Sequence, residues 1–207
     1  MSFLAVGRLD AMTTTTQPDL APQAAEVARL VTEVRADQLE EPTPCADTSV
    51  AALLDHLHGL SVGMRMAAEK TSGDAAPRAS AADLPADWRV RIPRELDALV
   101  AAWREPAAWE GTTRAGGVEL PAAVMGVVAL NEVLVHGWDL AVAIGQPYVV
   151  DDASAQRCLE HAVWFATAVP AGRDAIYGPV VPVPGDAPVL DRLLGLAGRY
   201  PAWSPPR

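Results

Sequence analysis

The strongest pattern along the chain is a long apolar run from Leu120 to Ile144, broken by only two formal charges, Glu132 and Asp139. Its length suits a helix of about six or seven turns at 3.6 residues each. Pro121 stands where a first-turn proline is tolerated and Gly145 where a stop is expected, so the run predicts a helix over about 121–144. Apolar residues at helical spacing predict further helices on either side. Ala25, Val27, Leu30, Val31 and Val34 place one from about Asp19 to Asp37. Val50, Leu53, Leu54, Leu57, Leu60 and Met64 place a second from Val50 to about Lys70, with Asp47, Thr48 or Ser49 available to cap it. Trp88, Leu96, Leu99, Val100 and Trp103 mark a third from about Leu84 to Arg104, where Pro93 calls for a kink or a late start. Ala155, Leu159, Val163, Trp164 and Ala166 give one from Asp152 to about Ala168, and a short helix from about Pro188 to Gly198 closes the chain.

Turn residues separate these segments. The stretch 39–49 holds Pro42 and Pro44, and 71–82 is a Gly, Ser, Ala and Pro linker. The stretch 106–119 reads as a loop with short extended pieces around Thr112 to Arg114, and 170–187 as an irregular proline-rich tail. Residues 1–17, with the run Thr13 to Thr16, read as a disordered leader, leaving a single domain over 18–207. The fold class expected is all-α: an antiparallel four-helix bundle with an extra C-terminal helix. Bundles build metal and ligand sites in the core, from side chains on facing helices.

Charge narrows the class of function. The formal charge of −10 and pI near 4.7 argue against nucleic acid and anionic membranes, both of which call for basic patches. They suit a protein that handles small molecules. The central run is long enough to raise a membrane span. However, Asn131, Glu132, His136 and Asp139 lie within it, which favours a buried helix of a soluble protein. Two scattered cysteines, Cys45 and Cys158, do not make a secreted disulfide framework, and no signal peptide is evident. The expectation is a cytoplasmic protein with reduced thiols, monomeric or homodimeric.

The chemistry gathers on the central run. A carboxylate among Leu130, Val133, Leu134 and Val135 is expensive unless something neutralises it. His136 lies four residues after Glu132, one turn along the same face. A carboxylate and an imidazole so placed can share one metal ion, and a third ligand from another helix would leave the open position of a catalytic site. His56, His58 and His161 are the candidates, and helical periodicity does not choose between His56 and His58. The bland alternatives are a hydrogen-bonded core histidine and a Glu132 ion pair with an arginine such as Arg65. Asp139, one turn past His136, is placed either to orient it or to meet an arginine. Trp138 reads as helix packing or a pocket wall. Cys45, just before a helix N-terminus, reads as a structural thiol.

Several stretches together resemble the DinB-like superfamily, in the branch related to mycothiol-dependent maleylpyruvate isomerase. They are Pro42-Thr43-Pro44-Cys45, then Val50 through Gly59 with His56 and His58, Glu132 through Ala141 with its His-Gly-Trp-Asp-Leu-Ala sequence, and Asp191 through Trp203. The family's ligand triad is a histidine on the second helix plus a Glu and a His four apart on a later one. It falls on His56, Glu132 and His136, and a following Leu-x-Gly step selects His56 over His58. The resemblance implies an up-down-down-up bundle. It also implies a divalent metal, zinc first with nickel, manganese or iron as alternatives, and mycothiol as the thiol cosubstrate. A thiolate formed at the metal would then attack an electrophilic substrate, in S-transfer or cis–trans isomerisation. Two departures stand out. A tryptophan usual near Thr48 is missing, and the full isomerase carries an additional C-terminal domain for which this chain is too short. The same three ligands would also serve a metal-dependent hydrolase or a non-catalytic metal- or ligand-binding bundle.

Overall fold

The computed structural model describes residues 17–71, 79–168 and 177–205. Its centre is α4, Ala122–Ala143, which rises straight out of a small hairpin and is apolar on nearly every side. Ile144 and Gly145 end it: Gly145 turns at φ +69°, its N–H reaches Val142 O at 3.3 Å, and the Gln146 N–H reaches Ala141 O at 2.9 Å. That is the Schellman ending a glycine after a helix predicts. α4 alone among the described residues is long and apolar enough to cross a membrane, and most of it is buried inside the protein.

Three further helices pack with α4 around one core. They are α1 (Ala21–Glu33), α2 (Val50–Ala68) and α3 (Trp88–Trp103). α1 and α2 each touch both α3 and α4, so the four close a ring in the order α1, α3, α2, α4. Leu30, Leu54, Leu57, Leu96, Leu99, Leu130 and Leu134 fill its middle, all fully buried. α5 (Asp152–Ala168) packs on α4, and α6 (Val189–Leu196) packs on α5. The described part is thus mostly helical, as expected.

The differences from the sequence reading have local causes. The first helix stops at Glu33, because Val34 and Arg35 turn extended and Gln38 folds back: its Oε1 accepts from the Arg35 N–H, and its amide donates to Ile144 O at 3.1 Å. The third helix starts late, at Trp88, yet still holds Pro93 in its second turn, where the proline leaves the Arg89 carbonyl without its helical N–H partner. The pieces near Thr112 are a real hairpin, β1 (Thr112–Ala115) with β2 (Val118–Pro121). Gly116 and Gly117 make its two-residue turn, both at positive φ, as a tight primed turn requires. Thr113 ties the hairpin to the end of α2, donating to Ala67 O at 2.6 Å. On α5 the inward face is Ala155, Cys158, Leu159 and Ala162 with His161, while Val163 points outward. All but the last residue of the expected leader, most of the 71–82 linker and the first part of the 170–187 tail lie outside the described residues.

Candidate metal centre

Ser49 caps α2, accepting from the Ala52 N–H at 3.3 Å, and so sets the register that turns His56 toward α4. His56 meets Glu132 and His136 there. Glu132 Oε2 lies 3.5 Å from His56 Nε2 and 3.4 Å from His136 Nε2, and the two rings stand edge to face with centroids 4.6 Å apart. All three donor atoms fall within 4.8 Å of one another. His58 and His161 do not join them, and Arg65 pairs with Glu69 and Glu95 instead of Glu132.

The spacing tests whether a metal fits. Nitrogen-to-carboxylate hydrogen bonds centre near 2.7–2.9 Å, and both contacts here are longer. Two donors bound tetrahedrally to one ion at about 2.0–2.1 Å stand about 3.3–3.4 Å apart. The observed 3.4 and 3.5 Å suit donors converging on an ion better than donors bonded to each other. Two imidazoles and one carboxylate are also the donor types that zinc, nickel and iron accept.

A second layer orders the first. Asp139 is fully buried and carries the Arg199 guanidinium on both oxygens, Nε to Oδ1 at 3.2 Å and Nη2 to Oδ2 at 2.9 Å. Burial works against its charge, but His136 and Arg199 outweigh burial and hold the carboxyl below its ordinary range. An ionised Asp139 has no proton to give, so at the 3.0 Å contact His136 Nδ1–H donates to Asp139 Oδ2. That leaves Nε2 facing Glu132 and His56. Burial likewise opposes charge on Glu132 and on His136. The two imidazoles nonetheless keep Glu132 well below the usual carboxylate range, and Asp139 with Glu132 raises His136 to about 10. With neutral imidazoles, Glu132, Asp139 and Arg199 leave one negative charge over in a buried place, which a proton or a cation must balance.

Side-chain exposure is 38% for His56, 18% for Glu132 and 12% for His136, so the cluster opens to solvent past His56. Asp139 is committed to Arg199 and to the far nitrogen of His136, and so does not close the set. The two sequence readings of Asp139, orienting His136 and meeting an arginine, turn out to be one arrangement. Trp138 is buried packing. Both cysteines are free, Cys45 half-buried and Cys158 fully buried, and burial pushes the Cys158 thiol up.

The family model for the mycothiol maleylpyruvate isomerase N-terminal domain matches residues 20–141, a span that includes all three donors and Asp139. The chain belongs to this family. Two curated relatives, the uncharacterized proteins Rv0738 and MT0763 from two strains of Mycobacterium tuberculosis, are each 31% identical over 186 residues, covering 88% of this chain and 97% of the relative. Among solved structures, the mycothiol-dependent maleylpyruvate isomerase is similar, with a TM-score of 0.57 at 15% identity over 72% of this chain and 69% of that one. A histidine-to-alanine mutant of that isomerase aligns with a TM-score of 0.53. At such identity these two show a shared fold. Arg199 lies beyond the span matched by the mycothiol maleylpyruvate isomerase N-terminal domain. Sequence reasoning missed it, although a buried Asp139 called for a cation and Gly198-Arg199 follows an apolar helix.

Proposed function

We propose that this protein is a metal-dependent enzyme in which His56, Glu132 and His136 hold a divalent cation, zinc first among the candidates. Its reaction would be thiol-dependent S-transfer or cis–trans isomerisation with a low-molecular-weight thiol of the mycothiol kind. The observation that carries the reading is the convergence of two imidazole nitrogens on one carboxylate oxygen at 3.4 and 3.5 Å, with one side open to solvent. A closed site, filled by Asp139 or His58, would favour a non-catalytic bundle, and neither residue fills it. The family and the named solved structures supply the thiol.

A bound divalent cation would supply positive charge that lowers the pKa of a thiol from about 8.5 toward neutrality. The chain's own residues do the rest. Glu132 brings the negative charge that favours a cation there. Asp139 holds His136 in the tautomer that points Nε2 at the cluster, and Arg199 keeps Asp139 ionised. The exposed edge of His56 is the side from which a small thiol would enter. A cytoplasmic setting follows the same reading, since such thiols are kept reduced there.

The test begins with metal content. Protein purified without added metal should carry about one equivalent, and His136→Ala should carry almost none. Metal-loaded protein is then assayed with mycothiol, glutathione, cysteine and coenzyme A, against a model electrophile and against maleylpyruvate. Turnover only with thiol supports the proposal, and thiol-independent hydrolysis would replace it with a hydrolase. A fully loaded site inert with every thiol would sink the enzyme reading.

A further inference from the structure

We propose that Arg199 is a positioning residue for the metal centre, acting through Asp139 on His136. The inference rests on the metal reading above, and its test is built to fail separately from it.

The geometry is specific. Arg199 binds both oxygens of Asp139, and His136 Nδ1 donates to the oxygen that Arg199 Nη2 also holds, at 3.0 and 2.9 Å. A planar guanidinium across both oxygens fixes the plane of the carboxylate. That aims a free lone pair of Oδ2 at the imidazole. Arg199 is itself held, since its Nη1 donates to Ala197 O at 2.7 Å and its residue is only 7% exposed.

The chain is shaped to deliver this side chain. α6 ends in a Schellman motif: the Gly198 N–H reaches Gly195 O at 3.1 Å and the Arg199 N–H reaches Leu194 O at 2.8 Å. Gly198 sits at φ +74°, and a Cβ there would strike the carbonyl oxygen of Tyr177. The turn therefore accepts only glycine, and the residue it presents next is Arg199. A carboxylate without its guanidinium is free to rotate, and that rotation would release the ring orientation on which Nε2 depends.

The competing role is a staple that merely pins the C-terminal segment to α4. A double-mutant cycle on metal affinity separates the two. Zinc affinity is measured by competition with a chromophoric chelator, for wild type, Arg199→Met, Asp139→Asn and the double variant, with folding followed by circular dichroism and thermal melts. Arg199→Met and Asp139→Asn should each bind zinc about 10–100-fold more weakly. In the Asp139→Asn background, Arg199→Met should add less than about threefold, because the path to His136 is already broken. The cobalt-substituted visible spectrum should shift in Arg199→Met, as a reoriented ligand requires. If Arg199→Met does not fold, Arg199→Lys, which keeps the charge and loses the planar fork, serves in the same cycle with the same lack of additivity. A folded arginine variant that binds zinc like wild type overturns the inference, as does a loss that multiplies fully with that of Asp139→Asn. If wild type binds no zinc, or His136→Ala binds like wild type, the metal reading fails and Arg199 goes with it. If those two behave as expected and the arginine variants do not, only the Arg199 inference falls.

Discussion

His161 shows what burial does to one side chain. It is 3% exposed on α5, stacked near-parallel on Phe165, with no hydrogen-bond partner for Nδ1 among the described residues. Burial pushes its imidazole down to about 4; Arg157 acts the same way and Glu132 opposes. In the unfolded chain the ring titrates near 6.5. Above pH 6.5 both states are neutral, so the fold keeps its full stability. As pH falls from 6.5 toward 4, the unfolded chain takes up a proton that the fold refuses, and stability is lost until the loss levels off near 4. At pH 4.5 the loss amounts to about 2–3 kcal/mol. Urea unfolding of wild type and His161→Phe at pH 7.5 and 4.5 should show the wild type losing that much more than the variant. Equal losses would mean the native ring already accepts the proton. The sequence leaves this residue open between a ligand and a structural or exposed histidine, and Val163, expected to face the core, faces out. Glu132 and His136 were legible because a one-turn spacing on a single helix is local information. The choice between His56 and His58 was not, since it depends on where α4 lies relative to α2, and family resemblance made it. Arg199 depends on a contact 60 positions away in sequence, which no periodicity carries.

At the scale of the element, Gly137 explains part of the His-Gly-Trp-Asp-Leu-Ala sequence. A Cβ there would lie 2.6 Å from Val27 Cγ2 on α1 and 2.8 Å from the Tyr148 hydroxyl. Neither can yield easily. Val27 is fully buried, and the Tyr148 hydroxyl donates to Leu134 O while accepting from Gln23, each at 2.6 Å. Two effects compete in Gly137→Ala. Helix propensity favours alanine by about 1 kcal/mol, and overpacking costs about 1–3 kcal/mol. With two pinned neighbours the overpacking wins, and the variant should lose about 1–2 kcal/mol in chemical denaturation. Gly63 on α2 is the control, because a Cβ there meets nothing within 4 Å. Gly63→Ala should instead gain about 0.5–1 kcal/mol. The same sign for both would show that propensity alone governs these helices. The element boundaries divide along similar lines. The Ser49 start of α2 and the Gly145 stop of α4 were readable from cap chemistry, whereas the early end of α1 was not, because Gln38 reaches across to Ile144, 106 residues away.

At the scale of the whole molecule, the three donors bridge parts that otherwise meet only through the core. His56 belongs to α2, Glu132 and His136 to α4, and the Asp139–Arg199 pair extends the connection to the segment after α6. An ion that binds only the folded arrangement stabilises it by mass action, by about 4 kcal/mol when free metal is a thousandfold above Kd. For a chain of this size each kcal/mol moves Tm by about 2–4 °C, so chelation should lower Tm by roughly 10 °C. The helices themselves should persist, because the leucine core joining α2 and α4 is complete without the site. Far-ultraviolet circular dichroism at 25 °C should therefore be unchanged by chelator while the melt moves. His136→Ala should melt near the chelated wild type and should not respond to chelator at all. A chelator shift that persists in His136→Ala would place the stabilising ion elsewhere, and a wild-type melt indifferent to chelator would mean that a proton, not a metal, balances the buried carboxylates.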